Sequence, residues 1–114
     1  MATASTVTIH PLLSKVPFDP IKDFAPVSHV SNVPLLLVVH PSLAAKTTRE
    51  FIALLRAQPG KFNFASSGKG TISHLAGELF KNSAGVSMVH VPFRGDGPEL
   101  VDVLGGQAKV ISIN

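Results

Sequence analysis

Residues 64–80, FASSGKGTISHLAGELF, constrain the fold more than any other stretch. Up to Ser66 the pattern alternates as a strand does. From Thr71 onward Ile72, Leu75, Ala76, Leu79 and Phe80 fall at i, i+3, i+4, i+7 and i+8, the apolar stripe of an amphipathic helix. Gly85 stands where a C-terminal cap belongs. A strand joined to a helix by a few Ser, Gly and Thr residues is half of a βαβ unit, and the rest of the chain supplies its neighbours.

VPLLLVVH (33–40), bounded by Pro34 and Pro41, is a continuous apolar run of strand length and is expected to be buried on both faces. KTTREFIALLRAQPGK is a helix with readable ends: Thr47 and Glu50 have capping-box spacing, and Pro59-Gly60 stops it. VSMVHVPF (86–93) is a strand. RGDGPELVDVLGGQ is a helix with Pro98 at its expected first position and Gly105-Gly106 past its end, and AKVISI is a final strand. The order β-α-β-α-β-α-β predicts a three-layer α/β domain with a mainly parallel sheet. Residues 1–32, with Pro11, Pro17, Pro20 and Pro26, read instead as an extended proline-rich arm with a short strand at 26–31, so the chain divides into that arm and an α/β unit over 33–114.

Composition narrows the function. A chain of 114 residues holds one core, and 45% hydrophobic against 15% charged residues leaves apolar surface that expects a partner. The ten basic residues are scattered and there is no Trp or Tyr, which argues against nucleic-acid binding. Without cysteine there is no thiolate nucleophile or thiolate-held zinc. The five histidines show no metal-binding spacing, so no metal or cofactor is expected. The opening MATASTVTIH lacks a signal-peptide pattern, which by itself predicts a cytoplasmic product for the chain as it stands.

In α/β sheets ligands gather beyond the carboxyl ends of the strands, and two turns there are distinctive: SSGKGT (66–71) and FRGDGP (93–98). Each places glycines and unpaired helix-start amides together, a combination suited to a carboxylate or phosphate. Ser66, Ser67 and Thr71 add hydroxyls, and Lys69 and Arg94 add charge. The alternative is that Ser67 or Thr71 caps its own helix and the glycines serve the bend, and both readings stay open for each turn. His74, one turn into the helix, is expected to hydrogen-bond near the turn. Asp96 either accepts from a ligand amine or caps its helix. A phosphate loop fails on spacing, because Asn63 stands at its first glycine and Gly70 at its hydroxyl. A nucleophile elbow fails because Ala65 and Lys69 stand at its glycines.

The segments PFDPIKDFAPVSHV, LLLVVHPSLAAKTTREFIALLRAQPGKFNFASSGKGTISHLAGELFK and VHVPFRGDGPELVDVLGGQ resemble, in order, the solute-binding proteins of tripartite tricarboxylate transporters, the Bug family. The resemblance implies a periplasmic two-lobed receptor that closes on small carboxylates and delivers them to a membrane permease, without catalysis. It implies that this chain matches the middle third of such a protein: the lobe crossover (1–32) and most of one periplasmic-binding-protein lobe (33–114). Carried over by position, the ligand turn falls on Ala65, Ser66, Ser67, Gly68, Gly70, Thr71 and His74, with Phe93, Arg94 and Gly95 from the second turn. Phe93 and Arg94 stand where the family commonly has Tyr-Lys, and QAKVISIN lacks the family's acidic residues, with Lys109 and Ile113 at those places.

Two functions follow: a carboxylate-binding lobe, or a degenerate relative that keeps the fold, has lost binding and self-associates. In either case the missing neighbours at both ends predict a homo-oligomer, through VSHVSN of the arm or AKVISIN of the last strand.

Overall fold

The structure is a computed structural model that describes residues 1–113; Asn114, which closes the expected last strand and the 33–114 unit, lies outside the described residues. The alternation expected from sequence is present. β1 (Leu36–Val39), α2 (Thr48–Ala57), β2 (Asn63–Ser66), α3 (Ile72–Ala84), β3 (Val89–Pro92), α4 (Asp96–Leu104) and β4 (Val110–Ile113) follow one another, after a π-helical turn Ser5–Ile9 that runs into the short helix α1 (His10–Leu13). The sheet order is β1-β4-β2-β3, with β2 parallel to both β3 and β4 and with β1 antiparallel to β4.

Helix ends form where the sequence places them. Thr47 accepts from the Glu50 amide at 3.2 Å, but the Glu50 carboxylate reaches back to the Lys46 amide at 2.7 Å, one residue before the usual capping-box partner. Thr71 caps α3, and Gly85 ends it in the left-handed conformation at φ 63°. α4 begins at Asp96, so Pro98 is its third residue rather than its first; its lacking amide is still one that a first turn leaves unbonded.

Two apolar clusters separate the layers. Phe51, Leu55, Phe64, Met88 and Val110 fill the face under α2 and α3, with Phe80 packed against them. Ala65, Val103, Ala108 and Ile111 fill the face under α4. Neighbours Phe64 and Ala65, like Val110 and Ile111, point to opposite faces because side chains alternate along a strand. Arg56 ties α2 to the end of α3 by donating to the Ala84 carbonyl at 2.8 Å.

Four sequence expectations are corrected. β1 is an edge strand and is not buried on both faces: Leu36 is 62% exposed, and Leu37 and Val38 are both 40% exposed, since only β4 pairs with it among the described residues. The arm is not extended throughout, because helical backbone runs from Ser5 to Leu13 with Pro11 inside it, and Ile9 of that segment is buried. No strand forms at 26–31; this segment has no ladder partner among the described residues, and Val27 and Val30 are exposed. The last strand, expected at an open edge, lies inside the sheet between β1 and β2, so Val110–Ile113 is not an edge strand available for self-association.

Candidate functional site

β2 and β3 are parallel neighbours in the register Ser66↔Pro92, so the turns that follow them leave the sheet side by side. The two turns are laced together: the Phe93 amide donates to the Ser66 carbonyl at 2.8 Å and the Gly95 amide to the Ser67 carbonyl at 3.1 Å. The residues singled out from sequence therefore form one contiguous rim, although they do not share one role.

Most of the first turn is held by its own polar groups. Thr71 donates to the Gly68 carbonyl at 2.7 Å and accepts from the His74 amide at 3.4 Å. The Ser67 hydroxyl lies 3.1 Å from that of Ser73, which lies 3.0 Å from that of Thr71 and also accepts from the Ser67 amide at 3.3 Å. His74 Nδ1 accepts from the Gly70 amide at 3.1 Å, which leaves its ring proton on Nε2, 4.0 Å from Glu78 Oε1. Both open readings of Thr71 are thus partly answered, because it caps its own helix while lying on the rim.

Three of the ten residues face inward. Ala65 is fully buried among the apolar residues under α4, and Phe93 packs against the same cluster. Ser66 is also fully buried, and its hydroxyl is engaged by His90 Nε2 at 2.6 Å and by the Gly68 backbone. Ser67, Gly68, Gly70, Thr71, His74 and Gly95 are half-buried on the rim, and Lys69 and Arg94 are exposed beside them. The amides of Lys69 and Ser73 have no hydrogen-bond partner among the described residues, and no side chain caps the first turn of α4. Those amides, with the Lys69 and Arg94 charges, are what the rim can offer an anion.

Sequence reasoning missed four contributors. Ser5 accepts from the Ile72 amide at 3.3 Å, so the N-terminal helical segment already meets the start of α3. Leu13 lies over Gly70, where φ is +78° and an added β-carbon would stand 2.7 Å from Leu13 Cδ1. Ser73 is buried and links the turn's hydroxyls. His90 stacks on His74, with ring centres 3.9 Å apart and planes at 13°, and on Phe64 at 4.9 Å. Burial first, and then the adjoining His74, hold His90 below the ordinary imidazole pKa. Only the alternation of VHVP, which places His90 on the face of Phe64, hints at that role in the sequence.

Two surface hollows lie elsewhere. One of about 710 Å³ is lined by arm residues including Pro11, Phe18 and Asp23, and one of about 440 Å³ lies by Arg56, Pro59 and Asn82. Neither hollow is lined by residues of the rim. No group of acidic, histidine or cysteine side chains able to hold a metal occurs among the described residues, and no helix is long and apolar enough to cross a membrane.

The whole length, residues 1–114, matches the family described as the tripartite tricarboxylate transporter family receptor. This chain belongs to that receptor family. It is 39% identical over 95 residues to protein BugT of Bordetella pertussis, a match covering 83% of this chain and 29% of BugT. Among solved structures, a periplasmic transporter superposes with a TM-score of 0.92 at 41% identity, over 99% of this chain and 38% of that one. R. palustris Rpa4515, solved with adipate, gives a TM-score of 0.79 at 35% identity over 85% of this chain and 32% of that one. The chain thus spans about a third of the length of the receptor-family proteins it matches. Its sheet and flanking helices are those of one lobe of a periplasmic binding protein.

Proposed function

We propose that this chain is a carboxylate-binding lobe of a tripartite tricarboxylate transporter solute-binding protein, acting in the periplasm and delivering its ligand to a membrane permease. The observation that carries the reading is the lacing of the two turns into one rim, where the Lys69 and Ser73 amides have no partner among the described residues and the start of α4 has no side-chain cap. Ser67, Gly68, Gly70, Thr71, His74, Arg94 and Gly95 form the contact rim. Ala65, Ser66 and Phe93 support it from below. Residues 1–32 act as the crossover and 33–114 as the binding unit. Adipate in a family member is consistent with a ligand of this class.

The role is binding without catalysis. Ser66 and His90 have the spacing of a nucleophile and its base, but the serine is fully buried and no carboxylate is hydrogen-bonded to His90 among the described residues. With one lobe the ligand stays half in water, so the dissociation constant for adipate is expected on the order of millimolar. Titration of the ¹⁵N-labelled chain with adipate should move the amides of Lys69, Ser73, Arg94 and Gly95 together. Movement confined to the arm hollow instead would remove the assignment.

The second reading, a fold retained for self-association after binding is lost, is favoured by the exposed apolar edge strand β1. Light scattering decides it together with the titration. A homo-oligomer that binds no carboxylate supports the second reading, and a monomer that binds adipate at the rim supports the first.

A further inference from the structure

We infer that His90 is a positioning residue of the candidate site: through the Ser66 hydroxyl it fixes the Gly68 peptide, and adding a proton to the imidazole reverses the direction of that link. The inference deepens the carboxylate-site reading and rests on it for its functional meaning, but its geometry stands apart from any ligand.

Ser66 is fully buried and its hydroxyl meets only protein: His90 Nε2 at 2.6 Å, the Gly68 carbonyl at 3.2 Å and the Gly68 amide at 3.3 Å. A hydroxyl has one proton to donate. When Nε2 of the neutral imidazole accepts, the Ser66 proton goes to His90, the hydroxyl oxygen accepts from the Gly68 amide, and the Gly68 carbonyl is left to Thr71. When Nε2 carries a proton it must donate, so Ser66 turns its own proton to the Gly68 carbonyl and competes there with Thr71. The Thr71 hydroxyl then swings toward Ser73, which is bonded to Ser67. One proton on a ring beneath the turn is thereby read out along the rim.

The surroundings of His90 make the two states unequal. His74 is stacked on one side, and Glu78, Lys69 and Lys81 are the charged groups near it; only Glu78 favours the imidazolium, while burial, His74, Lys69 and Lys81 oppose it. Glu78 is moreover engaged by Lys81 at 3.0 and 3.1 Å. The neutral ring is the resting state at neutral pH, taken in this proposal with its proton on Nδ1 so that Nε2 accepts, and the reversed link belongs to acid conditions below the usual histidine range.

The test follows the Gly68 amide by ¹⁵N NMR from about pH 8 to about pH 5 in the full chain, with and without adipate. In the parent protein the Gly68 and Thr71 amides should shift together with one inflection. His90→Phe keeps an aromatic ring in the stack but removes the Ser66 partner, so Gly68 should move, the inflection should vanish and adipate affinity should fall roughly tenfold. His90→Gln restores a hydrogen-bonding group and should recover most of the affinity without the inflection. Should His90→Phe not fold, Ser66→Ala cuts the same link from its other end and should abolish the same inflection. A folded His90→Phe or Ser66→Ala whose Gly68 amide and pH response match the parent overturns the inference. Failure of adipate to bind the parent counts against the carboxylate site alone, because the Gly68 response still decides the role of His90.

Discussion

The two strand-to-helix turns that meet at the end of the sheet are built in opposite ways. The turn into α3 is over-determined: Thr71 caps the helix, His74 holds the Gly70 amide, Ser66 holds Gly68, and His90 and Phe64 brace the whole from below. The turn into α4 has no side-chain cap, and its first helical turn carries Asp96 and Glu99, which counter the positive end of the helix dipole. Glu99 is 1% exposed, and its Oε1 has no hydrogen-bond partner among the described residues. Burial, and then the nearby Asp96, push its carboxyl up to about 7. One turn supplies a fixed shape, and the other supplies open amides at the expense of a strained carboxyl.

The largest effect that would break this comparison lies at Gly77, on the inner face of α3. A β-carbon there would stand 2.6 and 2.9 Å from Cδ2 and Cζ of Phe64, and closer still to Cε2. The ring cannot retreat easily, because His90 stacks against it and the cluster under α2 and α3 closes round it. Gly77→Val should destabilise the chain by about 3 kcal/mol, read as a lower midpoint in urea at an unchanged slope. A midpoint equal to the parent's would show that α3 is not seated on Phe64, and the claim of a braced turn would go with it.

That contrast was only half legible in the sequence. The caps at Thr47, Thr71 and Gly85 and the alternation of strands with helices were readable, because each depends on residues within one turn or on one period. Which strand forms the edge was not, because LLVV has the same apolar texture whether one neighbour covers it or two. The pairing of Ser66 with His90 spans 24 positions and exists only through the parallel register of β2 and β3. The same register turned Ala65 and Phe93 into the core, so a list of turn residues read along the chain mixed the rim with its supports. Glu99 carried no warning either, since an acid in the first turn of a helix is ordinarily a solvated, favourable residue.

Glu99 gives the next effect. Its native-state pKa is raised, so the folded chain holds this proton more tightly than the unfolded chain does. Its contribution is therefore most favourable below the ordinary carboxylate range, is lost as pH rises through about 7, and levels off above that. Glu99→Met keeps an unbranched side chain of similar length without the unmet oxygen. It should raise stability by about 1–2 kcal/mol near pH 8 and by less near pH 5. Denaturation at the two pH values measures this directly, and a variant that is less stable than the parent at both would mean that Glu99 has a partner and that the α4 turn is as well satisfied as the other.

The smallest effect sharpens the comparison from the opposite side, because it asks what a glycine does in each helix. Gly97, the second residue of α4, has open space beyond its chain neighbours Asp96 and Pro98: a β-carbon there would meet no other residue within 4 Å, and its φ is outside the left-handed region. No packing demand corresponds to the one that Phe64 imposes on Gly77. An added methyl group would restrict the unfolded chain and favour the helix, but the ring of the following Pro98 disfavours helical backbone at a residue with a β-carbon, so Gly97→Ala should change stability by less than about 0.5 kcal/mol. The size is the informative part, since the same kind of enlargement is expected to destabilise α3 strongly and to leave α4 almost unchanged. Urea denaturation of Gly97→Ala, run beside Gly77→Val, measures both in one series. If Gly97→Ala instead cost as much as Gly77→Val, the start of α4 would share the shape constraint now assigned to its neighbour alone.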